Sequence, residues 1–234
     1  MLQKNDLVSV IIPVYNCERY LAEAIESALA QTYRPIEVIV LDDGSTDGSG
    51  DVAKRFAPPV RYYFQPNAGL GTARNKGISL AQGSAFAFLD ADDLWLEDKL
   101  TRQMAVFDDN PELDMVFGYA KQFNSPELDE QSQTKIRPGE EILPGYIAGT
   151  MLIKRDAFYR VGLFETDWRV GEFIDWYLKA MERGLKSFLL PEVVMKRRIH
   201  ENNMGIRERK HQRDYVRILK AALDRRREKA LLEQ

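Results

Sequence analysis

Ala85 to Asp93 reads Ala-Phe-Ala-Phe-Leu-Asp-Ala-Asp-Asp, an apolar run that gives way to three carboxylates in four positions. An apolar run with no polar alternation is the signature of a strand buried on both faces, as in a parallel sheet covered by helices. Ala85 to Leu89 therefore reads as such a strand, and the acidic turn Asp90-Ala91-Asp92-Asp93 marks its carboxyl end. Three neighbouring carboxylates repel one another and are stable together when donors or a cation neutralise them. Asp92 or Asp93 could also cap a following helix.

Reading back toward the N-terminus, the same pattern repeats. Val8 to Pro13 and Ile36 to Leu41 are buried strands, and Val60 to Phe64 is a third. Between them, Glu18 to Ala30 places Leu21, Ile25, Ala28 and Leu29 on one helical stripe. A helix to about Phe56 follows the cap-rich turn Asp42 to Gly48, and Thr72 to Ala81 is another. Strand and helix alternate four times, so the fold is α/β: a Rossmann-like, mostly parallel sheet flanked by helices. Such sheets bind ligands at the carboxyl ends of their strands. Tyr15-Asn16, Asp42-Asp43, Asn67 to Asn75 and Asp90 to Asp93 all fall at those ends.

Toward the C-terminus, Glu97 to Phe107 is an amphipathic helix and Met115 to Gln122 a strand. Phe123 to Gly145 is polar and without periodicity, and reads as a mobile loop. Tyr146 to Ile153 is a strand, Arg155 to Val161 a short helix, Phe173 to Arg183 a helix and Val193 to Ile199 a last strand. Ile206 to Leu232 reads as one long basic helix with Tyr215, Ile218, Leu219, Ala222 and Leu223 as its apolar stripe. The expected organisation is a single domain over 1–204, with halves of about 1–110 and 111–204, and a helical tail over 205–234.

Composition narrows the function. The 234 residues are 44% hydrophobic, enough for a full core. Cys17 is the single cysteine and no Asn-x-Ser/Thr site occurs, which fits a reducing compartment. Met1 to Leu7 carries no signal-peptide pattern, and no apolar run approaches the roughly 20 residues of a membrane span. The expectation is a cytoplasmic protein whose membrane contact, if it has any, is peripheral at the inner face. From Arg207 onward cations outnumber acids two to one, whereas the preceding body is acidic. An acidic body argues against nucleic acid, whose phosphates need clustered cations. The basic tail can pack on the domain, dock on a protein or lie on an anionic membrane.

Four motifs now stand in one register: Pro13-Val14-Tyr15-Asn16, Asp42-Asp43-Gly44-Ser45-Thr46-Asp47, Asn67-x-Gly69-x-x-x-Ala73-Arg74-Asn75-x-Gly77, and Asp90-Ala91-Asp92-Asp93. Their order and spacing resemble the family 2 glycosyltransferases of the GT-A fold. The resemblance covers about the first 110 residues, and Gly149 to Ile153, Val161 to Phe164 and Arg198-Ile199-His200 are similar to that family's acceptor half.

The resemblance implies inverting transfer of a sugar from a nucleotide-diphosphate sugar, most often a UDP-sugar, to an acceptor hydroxyl with Mn2+ or Mg2+. It implies that Asp43 reads the base and Arg74 supports the nucleotide, with Pro13, Tyr15, Asn16, Asn67 and Ala91 along the donor. Asp90 and Asp92 are the pair that engages ribose and metal, Asp93 a neighbour or second ligand, and His200 a late contact to metal or diphosphate. Gly149, Thr150 and Trp168 flank the acceptor.

One segment departs from the pattern. Family members carry a Glu-Asp pair at a helix start, whose Asp deprotonates the acceptor, but here Gly171-Glu172-Phe173-Ile174-Asp175 puts Phe173 at that Asp. Glu172 and Asp175, three residues apart on a helix, are the two carboxylates that can serve as base. The departure keeps a catalytically silent, sugar-nucleotide-binding relative in view. A nucleotidyltransferase is the other alternative, although Tyr15-Asn16-Cys17 stands where its Gly-rich basic loop belongs.

Overall fold

The structure is a computed structural model and describes residues 2–3, 5–128, 141–208 and 211–232. A nine-stranded sheet in the order β3-β2-β1-β4-β8-β6-β9-β5 organises it, with β7 paired to β6 off this path. Its first half is the expected parallel array: β1 (Val8–Val14) lies between β2 (Ile36–Asp43) and β4 (Ala85–Phe88), and β3 (Val60–Gln65) pairs with β2 at the edge. The second half joins through β8 (Leu152–Lys154), antiparallel to both β4 and β6 (Met115–Asn124). Next come β9 (Ser187–Ile199), parallel to β6, and β5 (Leu94–Trp95), antiparallel to β9.

The central strands β1 and β4 are buried along their whole length because both of their faces are covered, whereas β3, at the edge, is only partly buried. Val8, Val10, Ile12 and Val14 pack with Leu21, Ala24 and Ile25 of α1 (Glu18–Leu29). The intervening Ile11, with Ile39, Phe86 and Phe88, packs on the other face against Ile78 of α3 (Leu70–Leu80). Phe158 of α5 (Arg155–Val161) and Trp176 of α6 (Glu172–Glu182) complete that layer, their rings stacked at 5.0 Å. Each large side chain removed from water here contributes about 1.5–3 kcal/mol. Gly77 makes the α3 contact possible, since a Cβ there would lie 2.5 Å from Ile11 Cγ2. The remaining helices are α2 (Ser49–Lys54), α4 (Lys99–Asp109), α7 (Met204–Arg207) and α8 (Arg213–Leu232).

Three expectations need correction. Phe123 and Asn124 continue β6, and Ile142–Gly145 forms β7, antiparallel to β6, so neither end of the expected loop is irregular; 129–140 lies outside the described residues. The strand expected over Tyr146 to Ile153 is interrupted by a 3-10 turn, Ala148–Thr150, closed by the Thr150 hydroxyl on the Gly145 carbonyl. The long C-terminal helix is divided by a turn at Glu208, with α7 before it. Of the apolar stripe read on α8, Ile218 and Ala222 are buried while Leu219 and Leu223 are each 53% exposed.

Candidate donor-binding site

The carboxyl ends of β1, β2 and β4 open on one crevice with a cavity of about 1090 Å³. Pro13, Tyr15, Asn16, Asp43, Asn67, Asp90, Ala91, Asp92, Trp168 and His200 all line it. The strand-end residues converge because a parallel sheet delivers every carboxyl end to the same side.

The walls are cross-braced. Asn16, at φ 51°, accepts the Thr46 N–H at 2.7 Å through Oδ1, and its own N–H donates to Ser45 Oγ at 3.0 Å. Glu18 accepts the Gly48 N–H at 2.6 Å, while Asp47 accepts the Glu18 N–H at 3.0 Å. The loops after β1 and β2 are therefore tied directly to each other. Asp43 fixes the third loop: Oδ1 accepts from Gln65 Nε2 at 2.7 Å and Ala68 N at 2.9 Å, and Oδ2 accepts from Gly69 N at 2.8 Å. A carboxylate oxygen takes two donors, so Oδ2 retains one acceptor direction. Gly44, at φ 81°, permits this closeness, since a Cβ there would fall 2.6 Å from the Asn67 nitrogen.

The acidic turn divides its roles. Asp90 lines the cavity and pairs through Oδ1 with Arg74 Nη2 at 2.7 Å. Asp92 Oδ2 stands 3.0 Å from His200 Nε2 and accepts from Asn203 Nδ2 at 3.2 Å. Asp93 turns away from the cavity, is buried, and accepts the Arg198 N–H at 2.8 Å. Burial, reinforced by Asp92 and Asp90, raises its carboxyl well above the usual range. Of the two roles expected for Asp93, neighbour or second metal ligand, its position facing the fold favours the neighbour.

Arg74, expected to support the nucleotide, is likewise withdrawn from the cavity wall. It is 2% exposed and bridges Asp90 to Glu172. Burial opposes its charge, but Asp90 and Glu172 outweigh that and hold the guanidinium above its ordinary value. It reaches a ligand through Asp90. Gly149 and Thr150, expected beside the acceptor, are buried in the core: Gly149 O accepts Trp95 Nε1 at 2.8 Å, and Thr150 O accepts Gln103 Nε2 at 2.7 Å. Trp168 does line the cavity, with Arg217 stacked 5.1 Å from its ring centre.

The helix start at α6 separates its two carboxylates. Glu172 turns toward Arg74 and hence toward Asp90. Asp175 faces α8, with Lys179 Nζ at 2.8 Å and Arg225 Nη1 at 3.5 Å. Phe173 packs between Trp176 and Tyr177, stacked on both. Of the two carboxylates expected as base, Asp175 is thus held by two cations, while Glu172 is held by Arg74.

Residues without a motif also line the cavity, among them Tyr20, Glu127 and Arg169. Nothing in their local pattern marks them. Asn203 was discoverable: three residues beyond His200, its amide accepts the His200 N–H at 2.7 Å and then reaches Asp92.

A divalent cation fits this donor set in one respect and is constrained in another. Asp92 and His200 face each other across the cavity wall, and His200 Nδ1 is buried without a partner. Among the described residues no group of three or more His, Cys, Asp or Glu side chains forms a ready-made metal cage. Small hard cations are commonly held by one or two carboxylates and completed by substrate phosphates, which suits a site of this kind.

Residues 9–166 match the family described as glycosyl transferase family 2. An uncharacterised glycosyltransferase of Rickettsia typhi is 33% identical over 212 residues, covering 83% of this chain and 64% of that protein. The uncharacterised glycosyltransferase EpsJ of Bacillus subtilis is 31% identical over 208 residues, 80% of this chain and 59% of the relative. The chain thus spans just under two thirds of the length of these relatives. Among solved structures, S. aureus TarS 1-349 in complex with UDP-GlcNAc superposes with a TM-score of 0.68 at 21% identity, over 85% of this chain and 60% of that one. The mannosyltransferase PcManGT of Pyrobaculum calidifontis, in complex with GDP-Man and Mn2+, gives 0.64 at 23% identity, over 86% and 59%. At these identities the structures establish the GT-A type of fold. Together with the strand-end motifs, the match over 9–166 places this chain in glycosyl transferase family 2.

Proposed function

We propose that the protein transfers a sugar, with inversion, from a nucleotide-diphosphate sugar to an acceptor hydroxyl. The observation that carries this reading is the convergence of Asp43, Asp90, Asp92 and His200 on one cavity. UDP is the proposed nucleotide: the remaining acceptor direction of Asp43 Oδ2 suits a uracil N–H, and Asn67, Tyr15 and Pro13 border the same space. Asp90, held by buried Arg74, accepts ribose hydroxyls without losing its position.

Asp92 and His200 are the residues that would hold Mn2+ or Mg2+, which when bound supplies positive charge to the leaving diphosphate. The protein's own residues orient the donor and exclude water, and Trp168 borders the acceptor side. In-line attack requires the acceptor hydroxyl to lose its proton, and Glu172 is the α6 carboxylate connected to the site through Arg74. Relatives of known structure bind UDP-GlcNAc or GDP-Man, which supports a nucleotide-sugar donor here.

Phe173 in the core and Asp175 between two cations favour one competing reading, a relative that binds sugar nucleotides without turning them over. Incubation with UDP- and GDP-sugars and Mn2+, followed by release of UDP or GDP, separates the two. Transfer or slow donor hydrolysis supports the enzyme. Donor binding with no released diphosphate over long incubation removes the catalytic reading.

A further inference from the structure

The C-terminal helix α8 has two apolar faces, and the fold uses one. Its inner face is fully engaged: Ile218 and Ala222 are buried, Asp214 accepts the Arg169 N–H at 3.2 Å, and Arg225 pairs with Glu182 at 2.7 Å. Gly171, at φ 86°, leaves just enough room for Ile218 and Tyr215 to seat the helix against the start of α6. These contacts fix which way the other face points.

That outer face carries Val216, Leu219 and Leu223, which are 69%, 53% and 53% exposed. At about 100° per residue they form one stripe, continued by Ala230. Arg226 borders it on one side, and Arg227, Lys220 and Arg213 on the other. No acidic residue falls within the arc of about 140° from Arg226 to Arg213. The acids of α8 lie elsewhere: Asp214 is buried, Asp224 sits beyond the basic rim, and Glu228 lies farther round. Among the described residues, Arg213 and Lys220 have no acidic partner, while Arg226 and Arg227 make only loose approaches, 3.8 Å to Glu182 and 3.9 Å to Asp224.

An apolar stripe with cations on both rims and no acid between them matches an anionic lipid surface in both chemistries. Leucine and valine enter the acyl boundary while Lys and Arg side chains reach up to phosphate. No described helix is long and apolar enough to cross a bilayer; an amphipathic helix of this pattern binds by lying in the interface plane.

We propose that the outer face of α8 docks this protein on an anionic phospholipid surface. The test is flotation of the full chain with phosphatidylcholine vesicles and with vesicles of phosphatidylcholine and phosphatidylglycerol in equal parts. Partition should be at least about tenfold stronger on the anionic vesicles and fall steeply with added salt. Leu219→Glu with Leu223→Glu should abolish it and leave the thermal melt and UDP binding unchanged, because both side chains point away from the fold. If that variant fails to fold, Lys220→Glu with Arg227→Glu, on the solvent rim, should fold and lose at least about tenfold in partition. Equal binding to both vesicle types, or none to either, overturns the proposal. So does a dimer in sedimentation that dissociates in the leucine variant, since it would assign the stripe to a second copy of the chain.

Discussion

The loops at the ends of β1, β2 and β4 and the start of α6 carry similar acidic and polar side chains, but the fold treats them oppositely. Asp43, Asp90 and Asp92 keep at least one face toward the cavity while internal donors hold the other. At α6, Asp175 is enclosed between Lys179 and Arg225, and Phe173 is part of an aromatic stack. Glu172 alone is tied back to the site, through Arg74. Parallel strand ends leave their carboxylates on the cavity wall, whereas Glu172 at the packed helix start is buried on Arg74, so its service as base requires that ion pair to open when the acceptor binds.

The sharpest way to break this contrast is at its bridge. Arg74→Met leaves Glu172 buried without its cation and Asp90 without its anchor, and should cost about 3–5 kcal/mol in urea unfolding. A loss below about 1 kcal/mol would mean that the bridge is weak and that the two regions are independent.

Turnover tests the α6 side directly. Glu172→Gln should lower it about a hundredfold or more with donor affinity little changed, whereas Asp175→Asn should stay within a few-fold of the parent. Comparable rates in both variants would place the base outside α6.

Asp92→Asn tests the strand-end side. At ligand about 100 times its dissociation constant, UDP with Mn2+ should stabilise the parent by about 2.7 kcal/mol, and that shift in melting temperature should vanish in the variant. An unchanged shift would remove Asp92 from the metal site.

The smallest effect concerns Lys99, the extreme case of a charge consumed by the interior. It is fully buried, donates to Gln103 Oε1 at 2.7 Å and lies 4.2 Å from the Trp95 ring centre. Burial lowers its amine well below the ordinary lysine value. The unfolded chain then binds a proton that the native state sheds, so stability rises with pH from the folded value up to the unfolded one near about 10.4. Lys99→Met should flatten that rise and add about 1 kcal/mol at neutral pH, or about 2–4 °C in the melt. A lower melting temperature would show that the Gln103 and Trp95 contacts outweigh the cost of burial.

The sequence by itself determined the parallel first half of the molecule and the place of the crevice. Val8 to Pro13, Ile36 to Leu41 and Ala85 to Leu89 are apolar on both faces, a local property that forces a covered parallel sheet and sends Asn16, Asp43 and Asp90 to one end of it. Only the tertiary structure decided which polar residues are spent. Gly149 and Thr150 became core, Asp93 met the Arg198 backbone, Arg74 was closed between carboxylates 16 and 98 positions away, and Asp175 met a cation from α8. Those partners come from segments remote in the chain, and a side chain's spacing fixes its direction on its own element but not what that direction will meet.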